Sequence, residues 1–273
     1  MSLASGVWRP ASQPLRVGMW SMTASVDVRA NAASIHRGLA EAARAGVQVL
    51  LTPECALTGY PPALGTPDAR RQTPDADWCL VGDLEDDLLT AARQAGLMLV
   101  LGTMSPSPSG VTNDALAGPE PAPVRYRKRH LTPADVPCFA RGQEAAWIDV
   151  HGWRLGLAIC YDLRFDDVWR DLAQAGCDAF LCIAHMAGPD PDPGVKAAVV
   201  PQVLATRAMG WATPLVFCST TAGDRWIGSG VWDARGMRTH HADAPGEHLL
   251  VATIQARDAF DPWYAGLRQS ALA

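Results

Sequence analysis

The stretch Trp153-Arg154-Leu155-Gly156-Leu157-Ala158-Ile159-Cys160-Tyr161-Asp162 decides how this chain folds. Its first seven residues are apolar apart from Arg154, the pattern of a strand buried on both faces, as strands of parallel sheets are. Leu163-Arg164-Phe165-Asp166-Asp167 comes next, then a helix-like run over 168–175 that Gly176 stops. A buried strand that hands a cysteine to a helix start belongs to an open α/β sheet, where chemistry collects at the carboxyl ends of strands. The positive end of a helix is expected to favour a thiolate at Cys160. A small buried hydrophobe is the alternative for any one cysteine, so its partners decide.

Two further segments end in reactive groups. Val47-Gln48-Val49-Leu50-Leu51-Thr52 reads as a strand and runs into Pro53-Glu54-Cys55-Ala56-Leu57-Thr58-Gly59-Tyr60. Residues 123–131 alternate like a strand and close on the basic cluster Arg125 to Arg129, with Lys128 as the candidate. A carboxylate, an ammonium and a thiol together supply the base, the oxyanion partner and the nucleophile of acyl transfer.

Around these segments the pattern alternates. Strands are expected over 15–20, 47–52 and 97–101, with helices over 28–45 and 84–95 that Gly46 and Gly96 end. A second series follows, with strands over 146–150, 153–159, 179–183, 214–218, 227–232 and 248–253 and helices after Asp167 and over 195–209. Two pseudo-symmetric βαβ halves give two sheets, each covered by helices on its outer face, a four-layer α-β-β-α sandwich. Segments 106–110 and 119–123 read as turns, and His240-His241 with Asp243 as a solvated polar hairpin turn.

Composition bounds the rest. Residues 1–273 are long enough for one α/β domain, and no linker interrupts them. A net charge of −5 with basic residues clustered only around Lys128 argues against nucleic-acid binding. No stretch approaches a membrane span or a signal sequence, so a cytoplasmic location is expected. The 7 cysteines contain no C-x-x-C pair and no zinc spacing, which implies reduced thiols and no metal site.

The three segments, in this order, resemble the carbon-nitrogen hydrolase (nitrilase) superfamily, and its amidase-like branch most. Pro53-Glu54 with Gly59-Tyr60, Tyr126-Arg127-Lys128 with His130-Leu131, and Cys160-Tyr161-Asp162-Leu163-Arg164-Phe165 carry the resemblance. Asn31, Asn113, Thr206-Arg207-Ala208 and Gly228-Ser229 extend it over about residues 15–254. It implies the same four-layer fold. It also implies Glu54 as general base, Lys128 as stabiliser of the oxyanion, Cys160 as nucleophile and the Tyr161 backbone N–H as a second oxyanion donor. The activity implied is hydrolysis of a small carboxamide to acid and ammonia through a cysteine thioester, without metal or organic cofactor. The alternatives are an N-carbamoyl (ureido-acid) hydrolase, a nitrile hydrolase, or a catalytically weak binding relative. Tyr161-Asp162 after the cysteine departs from the tryptophan-glutamate pair of true nitrilases.

Departures from the family pattern name further candidates. Asp135 stands where a second glutamate is usual, either holding Lys128 at a shifted or water-mediated distance or merely capping a loop. Asp166 replaces a proline and is expected to cap the following helix. Tyr60 is expected to line the acyl pocket. His185 is expected either to bind substrate or to be satisfied by a loop carbonyl. His130 suits a supporting position. Loops 61–78 and 186–194 should border the pocket, and Arg127, Arg129, Arg164 and Arg225 are candidates for holding a substrate carboxylate, Arg164 more as a structural ion pair. Trp226, Trp232, Trp263 and Tyr264 crowd the C-terminal end. A homodimer is expected, with the tail, about 257–273, at the interface.

Overall fold

The computed structural model describes residues 11, 13–64, 77–118, 122–188, 193–255, 263, 266–268 and 270. In the first half, β1 (Leu15–Ser21), α1 (Val28–Arg44), β2 (Val49–Leu51), α2 (Trp78–Gln94), β3 (Met98–Ser107), β4 (Gly110–Gly118) and β5 (Val124–Arg127) follow in order. The second half holds β6 (Trp147–Val150), β7 (Trp153–Ile159), α3 (Asp166–Gln174), β8 (Ala179–Ala184), α4 (Pro193–Gly210), β9 (Leu215–Ser219), β10 (Ser229–Trp232) and β11 (Arg238–Ala242), and β12 (His248–Ile254) closes the chain.

Two six-stranded sheets result, in the orders β12-β1-β2-β3-β4-β5 and β11-β10-β9-β8-β7-β6. In each, three parallel strands, β1-β2-β3 or β7-β8-β9, are continued by two antiparallel ones. On the other side of the parallel strands, β12 pairs antiparallel with β1 and β6 with β7. Period-2 alternation sorts the side chains by layer. Val49, Leu51 and Val100 join the core that contains both sheets, while Leu50, Leu99 and Leu101 pack with Ile35, Leu39, Leu88 and Leu89 of α1 and α2. Trp169 and Leu172 of α3 and Leu204 and Ala208 of α4 cover the second sheet. The expected α-β-β-α sandwich is the fold.

Local chemistry explains the differences from expectation. Helix α2 begins at Trp78 because the Asp77 side chain accepts the Leu80 N–H, an N-cap that precedes the apolar stripe. Strand β4 was not expected. It lies between the expected turns 106–110 and 119–123, and its polar residues Thr112, Asn113 and Asp114 are fully buried. His240 and His241 lie on the edge strand β11, exposed as expected but paired with β10 rather than forming a turn. Asp166 is the first residue of α3, not its cap, and binds Arg170 and Arg207 at 2.7 and 3.0 Å. Trp232 is buried against Phe217, so it completes the core. Tyr264 and residues 65–76 and 189–192 of the two pocket loops lie outside the described residues.

Candidate active site

Three strand ends converge between the sheets. Past β2, the chain turns through Pro53 and Glu54 into Cys55, which has φ +51°. Strand β3 lies directly against this turn, and a Cβ at Gly102 would stand 1.9 Å from the Pro53 carbonyl oxygen. Only glycine allows that approach. Asn31 holds the same turn from outside, donating to the carbonyls of Ser25 and Leu57 at 2.8 and 2.9 Å.

Past β5, Lys128 opens a loop that closes on itself. The Gly142 N–H donates to the Lys128 carbonyl at 2.8 Å, and a Cβ at Gly142 would lie 2.1 Å from the Arg127 carbonyl oxygen. Asp135 sits within that loop, its backbone N–H bonded to Thr132 and its Oδ2 accepting the Thr132 N–H. The loop thus returns Asp135 to the lysine from which it started.

Past β7, the chain enters a short 3-10 turn, Cys160–Arg164, and Cys160 itself has φ +48°. A left-handed cysteine is a strained backbone position. Asp162 holds it in place. Its Oδ2 accepts the Ile159 N–H at 3.0 Å and the Tyr126 hydroxyl at 2.7 Å, and its Oδ1 accepts the His130 N–H at 2.9 Å. One buried carboxyl therefore fastens the cysteine turn to the lysine strand. Burial pushes that carboxyl up from its ordinary value, against the bonds from Tyr126 and the two backbone N–H groups.

These pieces form one dry network. The Lys128 Nζ donates to Glu54 Oε1 at 2.7 Å and to Asp135 Oδ2 at 2.8 Å, with all three side chains fully buried or nearly so. The Tyr60 hydroxyl donates to Asp135 Oδ1 at 2.6 Å. Asn113 Nδ2 donates to Glu54 Oε1 at 2.7 Å, and the His185 backbone N–H to Glu54 Oε2 at 2.8 Å. The Glu54 charge acts on the Cys160 thiol across the same pocket. Of the readings offered for Asp135, a direct contact to Lys128 at 2.8 Å is observed, alongside a bond from the Thr132 N–H within its own loop.

Electrostatics set the resting protonation. Burial would lower Lys128, but the charge of Glu54, and with it that of Asp135, outweighs it and raises the ammonium well above its usual range. Burial would raise Asp135, yet attraction to Lys128 and bonds from Lys128, Tyr60 and Thr132 hold it below. Burial and then the Glu54 charge push the Cys160 thiol well up, with Lys128 opposing. Both act against the thiolate expected from a helix start, and the full helix begins only at Asp166, six residues past Cys160.

The other candidates sort by position. Tyr60 and His185 have ring centroids 4.9 Å apart, and burial lowers His185, keeping it neutral. No loop carbonyl satisfies the His185 ring among the described residues. His130 stacks on Phe165 at 3.8 Å and bonds Asp167, away from Glu54. Arg129 binds Asp167 and Asp171, and Arg225 binds Asp243. Arg127 lines a separate cleft of about 340 Å³ with Arg125 and Arg141. Arg164 makes no ion pair among the described residues and lies 5.7 Å over the Tyr161 ring. Trp226 packs on the loop after β8, donating to the Gly188 carbonyl at 3.1 Å beneath Lys196. Asn113 and Asp162 were not legible as site residues, though Asn113 already stood out in the family pattern and Asp162 in the cysteine motif.

A four-layer sandwich with a cysteine, a glutamate and a lysine at its converging strand ends defines a class of hydrolase fold. The sequence profile of one family, described as carbon-nitrogen hydrolase, matches residues 16–259, and the chain belongs to that family. A hydrolase of Mycobacterium tuberculosis is 28% identical over 186 residues, 64% of this chain and 63% of that one. The omega-amidase NIT2 of Bos taurus is 28% identical over 153 residues, 52% of each chain. The chain thus spans less than two thirds of these curated relatives. Among solved structures, a variant of the amidase from Nesterenkonia sp. AN1 carries the acetamide moiety of fluoroacetamide on its active site cysteine. It aligns with a TM-score of 0.76 over 97% of this chain and 96% of its own, at 24% identity, a likeness of fold. No described helix is long and apolar enough to cross a membrane.

Proposed function

We propose that this chain is an amidase that hydrolyses a small carboxamide to acid and ammonia through a thioester on Cys160. One observation carries the reading: a buried ammonium, Lys128, is held between two carboxylates, Glu54 and Asp135, with the Cys160 thiol beside the first. Glu54 takes the thiol proton as sulfur attacks the carbonyl carbon. The ammonium has three donors and two are engaged, so the third is available to the oxyanion. The Tyr161 N–H, in the opening turn of a 3-10 helix, has no partner within that helix and is the second donor. The C–N bond breaks, nitrogen takes the proton from Glu54 and leaves as ammonia. Glu54 then takes a proton from water as its oxygen attacks the thioester. The acid departs as the C–S bond breaks, and the proton returns to sulfur. Asp135 keeps Lys128 charged throughout, and Tyr60 and His185 wall the acyl side.

Cys160→Ala is expected to abolish ammonia release from simple carboxamides, by several orders of magnitude, while the unfolding transition stays cooperative. Near-normal turnover in that variant would sink the thioester route. Running N-carbamoyl acids, nitriles and dicarboxylic monoamides beside the carboxamides fixes the substrate class. Arg164 is the one of the four candidate arginines left near Cys160 to meet a second carboxylate.

The reading includes a homodimer in a reducing compartment such as the cytoplasm, where the free cysteines would persist. Helix α4 exposes Val195, Val199 and Met209 on its outer side, and Trp263 and Leu267 are exposed near the chain end. Arg268, directly after Leu267, is buried and donates to the Cys177 carbonyl at 2.7 Å. Light scattering should give twice the chain mass, falling toward one chain in Val199→Asp. A monomeric wild type at micromolar concentration would remove the dimer from this proposal.

A further inference from the structure

Two buried asparagines behave differently. Asn31 is satisfied at both ends: its Nδ2 donates to two carbonyls and its Oδ1 accepts the Ser25 N–H at 2.9 Å. That is how a purely structural amide looks. Asn113 satisfies only one end. Its Nδ2 donates to Glu54 Oε1 at 2.7 Å, while its Oδ1 is buried with no hydrogen-bond partner. A buried orphan carbonyl is unfavourable, and turning the amide over would set oxygen against the carboxylate. The side chain is therefore placed for Glu54 at the expense of its own other end.

We infer that Asn113 is a positioning residue that keeps Glu54 Oε1 proton-free and confines the travelling proton to Oε2. This rests on the reading of Glu54 as general base. Oε1 receives two donors that cannot accept, the Lys128 ammonium and the Asn113 amide, each at 2.7 Å. A carboxylate oxygen offers about two lone-pair sites, so Oε1 is filled. Oε2 receives one, the His185 N–H at 2.8 Å, and keeps a site open. The thiol proton lands there, and leaving nitrogen and attacking water exchange with the same atom. The backbone at Asn113 also ties the two strands, its main-chain carbonyl accepting the Lys128 main-chain N–H at 2.8 Å, a bond the side-chain substitutions leave in place.

The experiment compares pH profiles of ammonia release for wild type, Asn113→Leu and Asn113→Asp, with Glu54→Gln and Cys160→Ala as controls. Loss of the donor disfavours the carboxylate form, so the acid limb of kcat/KM should move to higher pH. kcat should fall about ten- to hundredfold with KM nearly unchanged, since Asn113 is placed to touch Glu54 rather than substrate. Asn113→Asp, the closest in shape, should move the limb further because it sets a second carboxyl against the first. Folded variants whose limb coincides with wild type would overturn the inference. So would failure of both variants to fold, which would make Asn113 a folding residue. If instead Glu54→Gln stays active, the base assignment itself falls and the cause is separable.

Discussion

In the first half of the molecule β5 is followed by Lys128, and in the second the topologically equivalent strand β11 is followed by Asp243. The same correspondence sets Met22, after β1, opposite Cys160, after β7, and the Glu54 turn opposite His185. The backbone scaffold is shared, but the chemistry is not. Lys128 is fully buried between two carboxylates, whereas Asp243 is 53% exposed and paired with Arg225. The difference has a physical origin in the flanking strands. Strand β5 leads into a loop that folds back over it, so the group at its end is withdrawn from water. Strand β11 is an exposed edge, and the group at its end stays solvated. The proposed thioester route needs one nucleophile, one base and one cation, so on that reading two equivalent halves are useful only once they have diverged at their strand ends.

Lys128→Met is the hardest test of that asymmetry. It leaves Glu54 and Asp135 buried without their cation, a break of the kind that costs about 3–5 kcal/mol. Ammonia release should fall by several orders of magnitude, and the urea midpoint should drop sharply. Met22→Leu, at the position equivalent to Cys160, should leave turnover within about twofold, because it conserves volume in an apolar setting. Similar losses in both variants would erase the distinction between the halves.

Asp135 gives the next largest effect and carries a sign. Its folded-state value is lowered, so it contributes stability that is present above the unfolded value and lost as pH falls through the folded one. Chemical unfolding of wild type and Asp135→Asn should therefore differ most near neutral pH, with the gap closing below the unshifted value of 3.8. Turnover should fall about a hundredfold in Asp135→Asn, because the amide keeps only one of the two oxygens that Lys128 and Tyr60 use and carries no charge. Asp135→Glu should recover only part of it, since the direct 2.8 Å contact already fits the shorter side chain. A gap that stays constant with pH, or unchanged kinetics, would return Asp135 to the role of a loop residue.

The same asymmetry explains what was legible in the sequence. Cys160 and Glu54 announce themselves because each follows an apolar run, and Lys128 because it closes an alternating, strand-like segment. Asn113 and Asp162 act through partners 59 and 32 positions away, and no local pattern encodes such a contact. Strand β4 was hidden for a related reason. Thr112, Asn113 and Asp114 are polar, and they are buried only because Ser105, Arg125 and Glu54 come to meet them. The surroundings of the cysteine were not legible because a five-residue 3-10 turn stands where a helix start was expected, and because the carboxylates that act on the thiol are distant in sequence. Edge strand β11 read as a turn since it has no apolar face to bury.

Asp243→Ala is the mildest test and isolates the exposed end of the comparison. The Arg225 guanidinium bonds the Asp243 carboxylate at 2.6 Å, but it also donates to the Asp243 and Ala222 carbonyls, which the substitution leaves in place. An ion pair whose acid is half in solvent is screened and contributes about 0–1 kcal/mol. The unfolding midpoint should therefore move little, and still less in high salt, where wild type has already lost part of the attraction. Turnover should not change unless Arg225 moves Trp226, its neighbour in sequence, which braces the loop after β8 and so the His185 N–H on Glu54. Kinetics and salt dependence together distinguish the cases. A small, salt-sensitive stability change with normal kcat fits a solvated strand end, whereas a large drop in kcat would show that the second half's β11 end supports the site as the first half's β5 end does.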